Sequence, residues 1–126
     1  MPDPVFAAPA WTERFRHKLR SDRELAHVIR WSAFALAWRS ESAELVIVVR
    51  ARTAATGPAG DLPTVAVRAP AARWARLLRP VPPPWHTDLL GMARRYGDVT
   101  LEPAGSTLVR NLRAINRIVE LSRAAH

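Results

Sequence analysis

The sequence has no cysteine, one lysine, five glycines and no long apolar run. Without cysteine it can form neither a disulfide nor a thiolate metal site, so a metal would need histidine and carboxylate ligands. No apolar stretch approaches the roughly 20 residues of a membrane-spanning helix. The glycines form no GxGxxG or GxxxxGKS pattern, which excludes the usual phosphate-binding loops. We therefore expect a soluble protein with no cofactor and no metal.

The 126 residues are 48% hydrophobic and 24% charged, which is typical of one globular domain. Residues 1–10 are rich in proline and alanine and lack periodicity, so they predict an extended or disordered tail before a domain at 11–126. No basic leader followed by an apolar segment is visible at the N-terminus, and this favours a cytoplasmic location.

Basic residues number 19 against 11 acidic ones, giving a formal net charge of +8. This balance favours an acidic partner such as nucleic acid or anionic lipid. The arginines, however, recur at helical spacing, which is more typical of the solvated side of amphipathic helices. The two series are Arg73, Arg76 and Arg79, and Arg110, Arg113, Arg117 and Arg123. We do not expect specific nucleic-acid binding, whereas transient contact with an anionic membrane stays open.

The first half of the domain predicts helix and then sheet. An apolar stripe from Thr12 to Ile29 is interrupted at Ser21 and Asp22, which indicates one kinked helix or two short ones. Period-two alternation then predicts a hairpin of strands at 31–38 and 44–52. Glycine and proline at 53–63 predict a loop, and TVAVRA at 64–69 predicts the next strand.

The second half predicts three helices and one strand. Pro70 suits the start of a helix at 71–79, and the proline cluster at 80–84 ends it at a rigid corner. A second helix is expected at 85–96, a short strand at 97–103, and a single long helix at 106–124. No internal repeat is visible.

His86 is the main candidate for chemistry. Asp88 follows it closely and Glu102 lies on the next strand, so a general base with an orienting carboxylate is conceivable. A histidine after prolines at a helix start more often caps the helix or faces solvent, and no serine or cysteine nucleophile has a recognisable context. We assign no catalytic residue; a cofactor-free isomerase or cyclase would require these side chains to converge in a cavity.

The order of elements, together with residues 65–123, resembles the sterol carrier protein 2 (SCP2-like) family. The similar features are a strand, a W-x-x-L-L helix at Trp74, a second helix, a strand near Gly97 and Asp98, and a closing helix. The proline-rich corner VPPPWHTDLL is similar to that of SCP2-like modules found with bacterial α/β-hydrolases. The family has five strands, whereas four are found here, so a fifth is either short and hidden in 52–60 or absent.

The resemblance implies an α+β single domain: a four- to five-stranded mixed sheet covered on one face by helices, with an apolar tunnel between them. Such a tunnel would bind a lipid, fatty acyl or sterol-like molecule without enzymatic turnover. The expected ligand-binding residues are Phe34, Leu36, Trp38, Trp74, Leu78, Trp85, Leu89 and Leu112. Alternatives are an interaction module for a partner enzyme, such as an α/β-hydrolase, and a homodimer.

Overall fold

Helices cover one face of a five-stranded mixed sheet. The computed structural model describes residues 3–103 and 105–125. A short 3-10 helix at Val5–Ala7 precedes the regular elements. These are α1 (Pro9–Ser21), α2 (Arg23–Val28), β1 (Ala33–Arg39), β2 (Glu44–Arg50), β3 (Thr53–Thr56), β4 (Thr64–Arg68), α3 (Ala71–Leu77), α4 (Leu89–Arg95), β5 (Thr100–Glu102), α5 (Ser106–Arg110) and α6 (Leu112–Arg123).

The sheet has the order β3-β2-β1-β4-β5, with β1 at its centre. β1 pairs antiparallel with β2 and parallel with β4, so the chain passes through β2, β3 and a loop before it returns beside β1. Phe34, Leu36 and Trp38 alternate along β1 and belong to the buried core. The predicted hairpin and the α+β architecture are thus confirmed.

The fifth strand is β3, at Thr53–Thr56, within the segment that the sequence predicts as a loop. It pairs antiparallel with β2, and Ala54 packs into the core opposite Val49. This confirms one of the two alternatives for the fifth strand, a short strand hidden in 52–60. The loop prediction is wrong for Thr53–Thr56 because alanine and threonine in so short an edge strand give almost no hydrophobic alternation. The strand follows a tight turn in which Ala51 and Arg52 both have positive φ.

The N-terminal segment differs from the predicted tail over the residues that the structure describes. Residues 1 and 2 lie outside the described part, but Phe6 is buried and α1 begins at Pro9. The Phe6 ring lies 5.2 Å from that of Trp74 in an edge-on arrangement. A single aromatic side chain has no period, so its burial could not be inferred from the sequence.

The predicted break between the first two helices is confirmed. Asp22 lies between α1 and α2, and its carboxylate accepts a hydrogen bond from the Leu25 N–H at 2.8 Å. This is the N-cap interaction that satisfies a free donor of the first turn.

Two later helices differ from their predicted extents. α4 begins at Leu89 instead of residue 85, because Trp85 has a φ of 66° and Asp88 caps the helix. The predicted long helix is divided into α5 and α6 at Asn111, whose side-chain amide donates to the Thr107 carbonyl at 2.9 Å. α6 is therefore only about 18 Å long at 1.5 Å per residue.

Candidate functional site

A cluster of aromatic rings occupies the layer between the sheet and the helices. Its members are Phe6, Trp11, Phe15, Trp38 and Trp74, and all five are buried. The Trp38 ring lies 5.6 Å from Phe15, to which it is stacked, and 5.2 Å from Trp74. β1, the 3-10 helix, α1 and α3 each supply part of this cluster, so it joins the sheet to the helical layer.

The indole N–H groups of the cluster are satisfied unequally. The Trp74 indole donates to the Arg39 carbonyl at 3.0 Å. The indole N–H groups of Trp11 and Trp38 are buried and have no hydrogen-bond partner among the described residues. An unpaired buried donor costs about 1–3 kcal/mol, so such groups commonly mark the place of a water molecule or ligand.

The structure brings most of the predicted ligand-binding residues together in this apolar layer. Six of them are buried members of the same core cluster: Phe34, Leu36, Trp38, Trp74, Leu78 and Leu89. Leu112 is half-buried and packs against the core. Trp85 does not belong to the layer, because 64% of it is exposed. A part for Trp85 in ligand binding stays a prediction.

Two aromatic members of the layer were missed by the sequence prediction. Trp11 lies four residues before Phe15 on α1, at helical spacing on the same buried face, so its position was available from the sequence. Phe6 lies outside every periodic segment and gives no such signal. Both rings contact residues of the aromatic cluster.

Five of the surface cavities among the described residues have volumes from about 160 to 440 Å³. None of the five is lined by a predicted wall residue other than Trp85. The layer itself is filled by side chains in contact with one another. A ligand in this layer would therefore have to separate the helices from the sheet.

The His86 side chain is buried and has two hydrogen-bond partners. Its Nε2 lies 3.3 Å from Nη1 of Arg73, and its Nδ1 lies 3.1 Å from the carbonyl of Pro84. Because a guanidinium only donates, Nε2 must be the acceptor and Nδ1 must carry the proton. Arg73 is in turn paired with Asp98 at 3.1 Å and stacked 3.7 Å above the Tyr96 ring. His86 thus links the proline-rich corner to Arg73 of α3.

The carboxylates proposed to orient His86 are engaged elsewhere or exposed. Asp88 accepts a hydrogen bond from the Gly91 N–H at 2.9 Å and caps α4. Glu102 is exposed on β5. Neither is hydrogen-bonded to His86 in the described part of the chain, so the geometry that an isomerase or cyclase would need is not formed there. Likewise, no group of three potential metal ligands is found within residues 3–103 and 105–125.

The corner is tied to α6 by Arg123. Its guanidinium donates to the carbonyls of Leu77 at 2.8 Å and Thr87 at 2.6 Å, on either side of the proline cluster. Burial lowers the pKa of this guanidinium. The sequence predicts Arg123 as a solvated residue of a helical stripe, and this is wrong because the residue is half-buried and its head reaches backbone oxygens across the corner.

Substitution of Gly91 is expected to disturb the Asp88 cap. A Cβ built on Gly91 would lie 2.7 Å from Asp88 Oδ1. In Gly91→Ala the carboxylate must rotate away and the N-cap, worth about 1 kcal/mol, is lost. This loss should cancel the gain of about 1 kcal/mol that alanine otherwise brings to the free energy of unfolding at a helical glycine. Chemical denaturation would measure this.

Gly97→Ala is the matched control, since a Cβ there meets nothing within 4 Å. Its free energy of unfolding should stay the same or rise by a few tenths of a kcal/mol, because alanine restricts the unfolded chain. A rise of about 1 kcal/mol in Gly91→Ala would contradict the role of the Asp88 cap, since alanine would then bring its full helix propensity at no cost to the cap.

With this architecture the chain has the α+β fold of sterol carrier protein 2. Its similarity to a crystal structure of sterol carrier protein 2 has a TM-score of 0.67 at 16% identity, covering 94% of this chain and 97% of the other. Similarity to TT1886, a possible sterol carrier protein from Thermus thermophilus, gives a TM-score of 0.62 at 17% identity, covering 94% and 87%. Similarity to the ubiquinone synthesis protein UbiJ-SCP2 gives a TM-score of 0.54 at 18% identity, covering 90% of each chain.

No protein-family profile and no curated protein sequence matches this chain. The structural similarity, at identities of 16–18%, establishes the SCP2-like fold that residues 65–123 indicated. Within the described residues, no helix is long and apolar enough to cross a bilayer.

Proposed function

We propose that this protein binds an apolar small molecule of the lipid, fatty acyl or sterol-like class between its sheet and its helices, without catalysing its conversion. The observation that carries this proposal is the pair of buried indole N–H groups, on Trp11 and Trp38, that have no acceptor among the described residues. An apolar molecule with one hydroxyl or carbonyl oxygen would supply the acceptor while its hydrocarbon part contacts the surrounding rings.

The character of the layer supports the same class of ligand. Phe34, Leu36 and Leu78 are fully buried and belong to the same core as the aromatic rings. Burying apolar ligand surface against such side chains contributes about 25 cal/mol per Å². Among the proteins of similar fold, one is a sterol carrier protein and another a ubiquinone synthesis protein. On this basis we propose that this chain binds an apolar molecule.

Ligand entry would require α1 and α3 to move away from β1, because their side chains now occupy the layer. The contact between β1 and α3 that must open is the one between Trp38 and Trp74, whose ring centroids are 5.2 Å apart. Trp74 is held to β1 by its hydrogen bond to the Arg39 carbonyl, and Trp38 has no comparable tie. Trp38, like Trp11, is therefore a residue whose indole N–H would gain an acceptor from a bound ligand.

The proposal is tested by native mass spectrometry of the purified protein, combined with organic extraction. A co-purified lipid, acyl or sterol-like mass is the expected result and would identify the ligand class. Protein without any such mass, together with no uptake of a fluorescent fatty acid or a fluorescent sterol, would overturn the proposal.

Trp38→Phe and Trp74→Phe form a matched pair for the polar contact. Both remove one indole ring from the same layer, but only the Trp38 N–H is free for a ligand. We expect Trp38→Phe to weaken binding of the fluorescent ligand about fivefold, the value of one hydrogen bond, and Trp74→Phe to weaken it less. A larger loss in Trp74→Phe, with both variants folded by circular dichroism, would contradict the assignment of Trp38.

A second candidate is an interaction module for a partner enzyme, such as an α/β-hydrolase. It is favoured by Trp31, which is 86% exposed beside a cavity of about 320 Å³ that Thr107 and Arg110 also line. An exposed tryptophan of this kind is a common centre of a protein contact. The absence of bound ligand in the experiment above, with Trp31→Ala weakening association with a co-expressed hydrolase, would favour this candidate.

A further inference from the structure

The proline corner exposes two large apolar side chains on its outer side. Val81 is 84% exposed and Trp85 is 64% exposed. Trp85 also borders a cavity of about 440 Å³, to which Arg94 and Arg95 of α4 contribute. We call these four residues the corner surface. The sequence predicts its tryptophan in the interior, so its exposure is a property that only the fold reveals.

Hydrogen bonds hold the backbone of the proline-rich corner, and with it the corner surface, in place. Arg123 fixes the chain at Leu77 and Thr87 through their carbonyls, and His86 hydrogen-bonds to Pro84. The prolines restrict both their own φ and the conformation of the residues before them. Val81 and Trp85 are therefore presented by a rigid segment, which lowers the entropy that a partner would have to remove on binding.

The backbone of Trp85 departs from the usual preference. Its φ of 66° lies in the left-handed region, which is uncommon for a bulky residue. In this conformation the indole ring is exposed and lies beneath the guanidinium of Arg95, with 4.2 Å between its Cζ and the ring centroid. Strained conformations persist where the surrounding structure determines them, and they are concentrated at binding sites.

The charges of the corner surface have no counterpart within the described chain. Neither Arg94 nor Arg95 forms an ion pair with a carboxylate in residues 3–103 and 105–125. Asp88 also borders the cavity, but its carboxylate accepts the Gly91 N–H and caps α4. Two guanidinium groups without a carboxylate partner, beside exposed indole and valine side chains, therefore suit an anionic and partly apolar partner.

We propose that the corner surface docks on an anionic lipid bilayer. Tryptophan favours the boundary between headgroups and acyl chains, an exposed valine can enter that boundary, and arginines bind the phosphates above it. The net charge of +8 attracts the whole molecule to such a surface. This docking does not depend on whether the interior of the domain binds a ligand.

The opposite end of α6 provides an internal comparison. Asn111 precedes α6 and lies beside Trp31, whereas Arg123 ends α6 and holds the corner. The two exposed tryptophans therefore lie near opposite ends of this helix, which is about 18 Å long. If an exposed tryptophan were sufficient for docking, Trp31 and Trp85 would contribute equally to it. The corner surface is distinguished by its paired arginines and rigid backbone.

The experiment is co-sedimentation of the full chain with vesicles of phosphatidylcholine, with and without phosphatidylglycerol. We expect binding to the vesicles that contain phosphatidylglycerol, weakened by added salt, and little binding to phosphatidylcholine alone. Trp85→Ser should reduce the partition coefficient about tenfold. Arg94→Gln and Arg95→Gln should each reduce it about fivefold.

Trp31→Ser is the matched control and should leave vesicle binding unchanged. Thermal unfolding of every variant shows whether a loss of binding reflects a loss of fold. Equal binding to both kinds of vesicle, or a loss in Trp31→Ser as large as in Trp85→Ser, would overturn the proposal. Binding to neither vesicle would also overturn it and would leave the corner surface to a protein partner.

Discussion

Replacing Trp38 with alanine is expected to lower the free energy of unfolding by about 3–5 kcal/mol, the usual range for a buried tryptophan. The ring is fully buried and lies against Phe6, Phe15 and Trp74. Since domains of this size are stable by about 5–15 kcal/mol, the loss would be a large share of the total. Urea denaturation followed by circular dichroism would measure it.

Trp31→Ala is the control for this substitution, because the same side chain is removed from an exposed position. Its free energy of unfolding should change by no more than about 0.5 kcal/mol. A loss below about 1 kcal/mol in Trp38→Ala would mean that Trp38 is not closely packed, since the cost of a large-to-small substitution grows with the packing it removes. That result would contradict the filled layer described above.

Replacing Arg117 with alanine is expected to lower the free energy of unfolding by about 2–3 kcal/mol. The Arg117 guanidinium joins α6 to the start of α2, where it donates to both oxygens of Asp22 at 3.0 and 2.8 Å. It also pairs with Glu24 at 2.9 Å. Without it the mostly buried Asp22 carboxylate would keep only its bond from the Leu25 N–H.

Arg113→Ala is the matched control on the same helix, because Arg113 has no ion pair in the described residues. A change within about 0.5 kcal/mol is expected for it. Similar losses in the two variants would show that helix propensity, rather than the link between α2 and α6, accounts for the effect.

The ion pair between Arg117 and Asp22 makes the free energy of unfolding depend on pH. The hydrogen bond from Arg117 holds the pKa of Asp22 below its usual range. A carboxylate with a lowered folded-state pKa contributes stability above its unfolded-state pKa, near 3.9, and this contribution is lost as the pH falls through the folded-state pKa. The free energy of unfolding should therefore fall below about pH 5, and Asp22→Asn should have a shallower acid dependence while keeping a good N-cap.

Much of the fold could be predicted where one residue period continues for several turns or strand positions. The alternation of Phe34, Leu36 and Trp38 indicated β1, and Asp22 correctly indicated the break between α1 and α2. The failures occur where the signal is short or interrupted. β3 consists of only four small residues, and Asn111 interrupts a helical pattern that is otherwise continuous.

The candidate site was predicted unevenly for the same reason. Trp38, Trp74 and Leu89 lie on regular elements whose buried faces follow from spacing, and the structure buries them together. Trp85 lies in an irregular segment, where residue type alone suggests burial but the backbone conformation directs the ring outward.

The sequence by itself determined most of the regular elements, the basic charge and the absence of thiol chemistry, because these depend on local periodicity and composition. Only the tertiary structure decided that Phe6 completes the aromatic cluster and that Arg117 and Arg123 bind distant groups. It also decided that His86 fastens the corner and that Trp38 keeps a free N–H. These contacts join residues far apart in the chain, and their partners are chosen by packing geometry, which no local pattern encodes.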